Sequence, residues 1–491
     1  MPEYPGFIGA TYTSRGIAVA AEVCRNLFLE KIRGDGGTGH SSAGYVLCQT
    51  PGLQLFAQSP DETELRYLFR DPGVERVFAV FGRNLYEVKV VGGVGYLGTT
   101  ATVEFIGAIG AETPGNTALG RCSMATNGFQ IGICSEAQLF VFDLSTGILK
   151  VVDGPPFMRT NGGGGAGWIT FLDSSFLVSD YEMRQFYYSD VLDGTSWNAL
   201  SVASKEGASD PIIAAVADHQ RLFLFGSWTT EVWYGTGDAT NPFAPIPGTF
   251  IEQGLISPRS VVAADNTLFF LGQDQWGAAI VYRMDGYTPM RVSNHAIEWL
   301  IQQYSRLDDC VAYSYQDSGH TFVVFSFPSG GAVVEPKGGS VQVLPGGWTW
   351  VYDCATGMWH ERTHFKDGAE SMHAGMHHCF AFDKHLVGGG DGTGNIYWMD
   401  RQFTDDHGDM IRRMRSAPVL NADKKYLYLG AFELDAQVGV IPDLRCGCCT
   451  DVDNPLTIAM TDASGIVTTF DMNLRTVCVD PAAPPPIGSI S

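Results

Sequence analysis

Val351–Arg362 reads VYDCATGMWHER, and far upstream Val141–Val151 reads VFDLSTGILKV. Both run Val–aromatic–Asp, a small residue and Thr-Gly, then an apolar residue where the chain turns back. This is the chemistry of a β-hairpin. The Val–aromatic pair favours a strand, Asp accepts hydrogen bonds from turn amides, and Gly takes positive φ before the return strand. Looser copies stand at Leu85–Val88 (LYEV), Phe186–Trp197, Val232–Gly237, Val281–Val292 and Ile396–Asp400. Most follow another apolar run ending near Gly or Asp, such as VFAVFG, FQIGIC, WITFLD, RLFLFG, TLFFLG, HTFVVFSF and HLVGGG. Each unit therefore reads as inner strand, second strand and outer strand.

The second strands begin near residues 85, 140, 186, 231, 280, 350 and 396. Their spacing is that of radial propeller repeats, about 40–50 residues, with one long gap of about 70. That gap holds the Gly/Pro-rich stretch Ser329–Gly347 (SGGAVVEPKGGSVQVLPGG), which reads as an inserted loop. A blade with two apolar faces cannot bury both alone, and radial packing covers each face with its neighbour. A single two-sheet sandwich seldom needs seven similar units. The fold class expected is all-β: a β-propeller of six or seven blades over residues 75–405, with a β-rich platform from the chain ends. Residues 1–74 are expected to form an N-terminal segment with platform strands. Residues 406–480 are expected to hold further strands, notably Tyr426–Leu434 and Ile466–Phe470, and 481–491 to be a flexible tail. His295–Leu307 is the best helix candidate, with Ile297, Leu300, Ile301 and Tyr304 at helical spacing.

The 491 residues suffice for a large core, with 45% hydrophobic and 17% charged residues and 59 glycines suiting many short strands joined by tight turns. The formal charge of −22 opposes tight nucleic-acid binding, which needs a basic surface to displace counterions. It allows a chain to lie beside DNA without sticking. No signal-peptide pattern opens the chain, and no apolar run approaches the ~18–20 residues of a membrane span. The eleven cysteines are read as mostly buried free thiols of a protein made in a reducing cytoplasm.

Gly162–Gly167 matches GxGxxG, but a strand follows where a dinucleotide site needs a helix, so no cofactor is expected. Ser189–Trp197 (SDVLDGTSW) resembles the Asp-box turn of sialidase propellers, which is not itself catalytic. His373, His377 and His378 cluster beside Cys379, yet the sequence runs into a strand and lacks the usual HExxH carboxylate. Cys446, Cys448 and Cys449 lack a second CxxC pair. Asp61, Glu62 and Glu64, and Asp405, Asp406 and Asp409, read as solvated loops. No catalytic, cofactor or metal residues are assigned.

Short motifs in fixed order then point to a family. Glu22–Glu30 (EVCRNLFLE), Thr50–Leu53 (TPGL), Ser123–Gly128 (SMATNG), Phe171–Val178 (FLDSSFLV) and Ser196–Ser204 (SWNALSVAS) lead to the densest stretch, His219–Gly254. It contains RLFLFGSWTTEVWYGTGDATNPFAPIPGTFIEQG. Asn266–Gly272, Val281–Gly286, Ser293–Glu298, Gly319–Phe327 and Trp350–Arg362 follow. Over about residues 20–400 the chain resembles the packaged-DNA stabilisation proteins of short-tailed phages, also called tail hub or nozzle proteins. The likeness fades beyond about residue 440, where only Thr461–Gly465 (TDASG) stands for a typical turn. The resemblance implies a six-bladed propeller in a homohexameric ring below the portal and adaptor rings of the virion tail, assembled in the host cytoplasm. It implies that the ring closes the DNA channel, retains the packaged genome, supports a needle, fibres or spikes, and has no enzymatic activity. Acidic residues along part of the channel would let double-stranded DNA slide. The competing readings are a propeller enzyme acting on glycans, which needs a cleft with convergent carboxylates, and a kelch-like interaction scaffold.

Overall fold

The computed structural model describes residues 8–13, 21–32, 44–73, 75–91, 100–110, 122–152, 165–180, 182–238, 240–277, 279–334, 341–344, 346–417, 453–461 and 467–475. Two compact units are present, Met1–Val334 with Val341–Pro418, and Glu335–Ser340 with Val419–Ser491. The described part of the smaller unit is an antiparallel hairpin, Asp453–Thr461 with Val467–Arg475. The predicted strand Tyr426–Leu434, the tail 481–491 and Cys446, Cys448 and Cys449 lie outside the described residues.

The larger unit is a β-propeller. Six blades are built from contiguous chain, and their innermost strands are Leu65–Arg70, Cys122–Thr126, Ala166–Leu172, Ile212–Asp218, Val261–Ala264 and Val311–Asp317. In blade 2, for example, Cys122–Thr126, Gln130–Ser135, Gln138–Asp143 and Leu149–Val152 pair antiparallel in that order. A further sheet combines Gly375–Ala381, Lys384–Gly389 and Asn395–Asp400 with Gly52–Gln58 from the N-terminal region. It stands between blade 6 and blade 1, so seven sheets surround the axis. The ring thus takes in more of the N-terminal region than the expected start at residue 75.

The core explains this arrangement. Along His320–Phe327, Phe322 and Val324 enter a cluster shared with the mixed sheet, while Val323, Phe325 and Phe327 enter one shared with blade 5. Period-2 alternation with both faces apolar is what a strand needs when it has a neighbour on each side. The same sharing recurs around the circle and ends with Phe56 and Leu386 of the mixed sheet packed with Leu65 and Val77 of blade 1. Each fully buried large apolar side chain contributes roughly 1.5–3 kcal/mol.

The turns follow the expected chemistry. Asp143 Oδ1 accepts from the Ser145 and Thr146 amides at 2.9 and 2.8 Å, and Gly147 has φ +69°. Asp353 Oδ1 accepts from the Ala355 amide at 2.9 Å, and Gly357 has φ +70°. One strand assignment is corrected. The apolar runs read as inner strands are mostly second strands, and some innermost strands carry little apolar signal. CSMAT and VVAA are built of small and polar residues that fit the crowded axis. A helix forms in the expected segment but only over His295–Ile301, short of Tyr304 and Leu307, with the Asn294 side chain accepting from the Ala296 and Ile297 amides and Ile297, Leu300 and Ile301 buried. The insertion within blade 6, between His320–Phe327 and Trp348–Asp353, contains its own hairpin, Gly331–Val334 with Val341–Leu344.

Both chain ends supply extra strands. Ala21–Arg25 lies beside Met358–Lys366, the outer strand of blade 6, and pairs with Tyr12–Thr13 and Met414–Ser416. Asp405–Asp406 joins the outer side of Gly52–Gln58.

Candidate assembly surfaces and the axial end

The seam between blade 6 and the mixed sheet is locked by the N-terminal segment. Phe28 is buried against Tyr315, Phe322, Val324 and Leu53. Arg362 Nη2 donates to the Pro51 carbonyl at 2.8 Å, and Nη1 lies 3.1 Å from the Met399 sulfur. Arg25 Nε meets Glu361 at 2.8 Å, pairs also with Glu370, and covers the Trp348 ring. Burial raises the Glu361 pKa and Arg25 opposes it, so this carboxylate is held charged chiefly by its partner.

Blades 2 and 3 present the opposite character. Phe129, Ile148, Val151, Val191, Leu192 and Leu200 are exposed, Val191 by 71% and Leu200 by 85%. Phe129, Leu144 and Leu192 line a shallow depression of about 280 Å³. Asn127 Nδ2 donates to the Leu192 carbonyl at 3.1 Å and the Gly194 amide to Gln130 Oε1 at 2.7 Å, which ties the two blades into one surface. Exposed apolar side chains gathered on neighbouring blades beside such a depression are typical of protein contact. Its residues come from separate turns, so GFQ at 128–130 and DVLD at 190–193 are its only local signals in the sequence.

At the axis, Arg259 belongs to the 256–260 segment that interrupts the innermost part of blade 5. Its Nη1 donates to the Arg66 carbonyl on blade 1 at 3.1 Å and lies 3.4 Å from His377 Nε2 on the mixed sheet. Neither of these sheets neighbours blade 5, so the side chain spans the centre of the ring. Burial pulls the Arg259 pKa down, and the Arg66 charge adds to this.

The residues singled out from sequence do not converge. His373 Nδ1 accepts from the Gly375 amide at 2.9 Å, and His378 Nε2 lies 3.0 Å from His385 Nδ1. Burial lowers all three pKa values, that of His378 to about 3, which keeps them neutral. Among the described residues no group of three or more His, Cys, Asp and Glu is placed to hold a metal ion. Cys24, Cys122, Cys134, Cys310 and Cys379 are buried free thiols, and Cys48 and Cys354 are half-buried. Ser189–Trp197 forms a turn in which Trp197 Nε1 donates to the Gly194 carbonyl. Of Gly162–Gly167, residues 162–164 lie outside the described residues; Gly165 donates to Asp180 Oδ1 and a strand follows.

The acidic clusters are corrected in part. Asp406 is buried, 3.5 Å from His364 Nδ1, and Asp409 lies 3.2 Å from its Nε2. This clasp holds the C-terminal strand, and Asp406 raises the His364 pKa. Asp61 accepts from the Tyr86 hydroxyl, and Glu64 sits half-buried near Arg259 and Arg66.

Fold and surfaces define an all-β propeller whose ring is closed by its own N-terminal region and which carries apolar contact surface rather than a convergent catalytic cluster among the described residues. Residues 37–403 match the phage stabilisation family, described as the β-propeller of bacteriophage P22 Gp10. The chain belongs to that family of phage proteins. No curated protein matches it. Similar solved structures include the extracellular domain of BT4673 from B. thetaiotaomicron, with 8% identity and TM-score 0.41 over 70% of this chain and 39% of that one. Another is PorZ, a surface component of the type-IX secretion system of Porphyromonas gingivalis, with 12% identity and TM-score 0.34 over 75% and 39%. The chain thus spans well under half the length of these structures.

Proposed function

We propose that this chain is the hub or nozzle subunit of a short-tailed phage tail. Six copies form a ring below the portal and adaptor rings, which closes the DNA channel, retains the genome and supports a needle, fibres or spikes. The observation that carries this reading is family membership over residues 37–403. Three structural features support it. A ring closed by its own chain is a stiff module, suited to repeated contacts around a symmetry axis. The exposed apolar surface of blades 2 and 3 offers such a contact without further refolding. Arg259 reaches across the centre of the propeller, which suits a reading in which the DNA path runs between subunits rather than through each one. The net charge of −22 suits passage of DNA without retention.

Light scattering of the purified chain, alone and with its adaptor ring, tests the reading. A closed oligomer is expected on the adaptor, with Val191→Asp abolishing it while the fold is retained. A chain that stays monomeric with the adaptor contradicts the proposal.

A further inference from the structure

Arg259 also raises a question of charge. Arg259 is half-buried at the centre of the ring, and a guanidinium partly withdrawn from water is stabilised by a counter-charge or by well-placed acceptors. Among the described residues its hydrogen bonds use Nη1 alone, and it has no carboxylate within ion-pair distance. The Nε–Nη2 edge has no hydrogen bond among these residues and is not sealed from solvent, since neither atom is among the buried polar atoms without a partner. This edge is the fork with which arginine grips two oxygens of one anion. The second guanidinium of the cluster, Arg66, is buried beside it, donates to the Gly82 carbonyl at 2.8 Å, and shares Glu136 with Arg83. His377, held neutral, adds no positive charge and keeps its ring within reach.

We propose that Arg259 anchors an oxyanion-binding site at the axial end of the propeller, where a phosphate-class anion bridges the Arg259 fork and the field of Arg66. The anion supplies the ion-pair partner that the Arg259 fork lacks among the described side chains, and it pins blade 5 to blade 1 and the mixed sheet. Glu64 is the opposing group. It senses both guanidiniums, but burial raises its pKa, so it is a poor substitute for a bound anion. A halide offers a single acceptor atom and cannot span the fork, so the site favours oxyanions over chloride.

Isothermal titration of the full chain with inorganic phosphate, at ionic strength held constant by sodium chloride, tests this. One saturable site per chain is expected, with acetate binding more weakly and added chloride competing little. Arg259→Met, checked for folding by circular dichroism, is expected to weaken phosphate by at least about tenfold, the loss of a charge-assisted bidentate contact. Glu64→Gln is expected to tighten it by roughly threefold or more, because a nearby like charge is removed. No saturable heat with folded wild-type chain overturns the proposal, as does phosphate affinity unchanged in Arg259→Met. If Arg259→Met does not fold, Glu64→Gln decides, and unchanged affinity there overturns it.

Discussion

Blade 6 and blades 2 and 3 are made from the same hairpins but finish differently at their outer edges. The outer strand of blade 6, Met358–Lys366, is flanked by Ala21–Arg25 and Ala369–Met372, and none of its described large apolar side chains is exposed. Leu149–Val152 and Asp193–Ser204 close blades 2 and 3 with nothing paired beyond them among the described residues, and Val151 and Leu200 face solvent. Unpaired edges are a liability that folded chains normally cover or charge. Covering one edge with both chain ends while leaving another apolar separates two tasks. The first edge ties the chain ends to the propeller, and the second is available for contact.

Several substitutions would break that contrast. The largest effect is expected from deleting residues 1–58, which removes the fourth strand of the mixed sheet together with Phe28 and Arg25. Calorimetry should then lose the single cooperative transition of the propeller, and much of the chain should become insoluble. Phe28→Ala empties a fully enclosed site and should cost about 3–5 kcal/mol in denaturant unfolding. Arg25→Ala leaves Glu361 buried beside Glu370 without its cation and should also cost about 3–5 kcal/mol.

The seam has a pH signature as well. His378 is stacked on Tyr313 and its pKa is lowered to about 3, below the value near 6.5 of an unfolded chain. Its neutral form is favoured by folding, so its contribution is complete above pH 6.5 and is lost as the pH falls toward 3. His378→Phe should remove one proton from the acid slope, about 1.4 kcal/mol per pH unit across that window, as read by stability curves at several pH values. On the bare side, Phe129→Ser and Val191→Ser should change monomer stability by less than about 0.5 kcal/mol. Assembly, in contrast, should fail.

The hairpins were legible because their determinants are local. Val–aromatic–Asp and Thr-Gly lie within one turn, so the strands expected near 85, 140, 186, 231, 280, 350 and 396 begin in the structure at Asn84, Gln138, Gln185, Thr230, Ile280, Trp348 and Asn395. The closing strand Gly52–Gln58 was not assigned to the ring, because GLQLFAQ acquires its meaning only from Asn395–Asp400 at the far end of the chain. Two innermost strands, Cys122–Thr126 and Val261–Ala264, were muted by small and polar residues. Arg259 was invisible for a related reason: SPRS says that a strand is interrupted, but not that the side chain crosses to two sheets that are not its neighbours.

The most direct measurement is an electron cryomicroscopy reconstruction of the virion tail. Copies of this propeller should surround the channel below the adaptor, with Phe129, Val191 and Leu200 buried at subunit contacts and DNA running between propellers. A tail in which those residues face solvent, or in which the chain occurs as a single copy, would contradict the account.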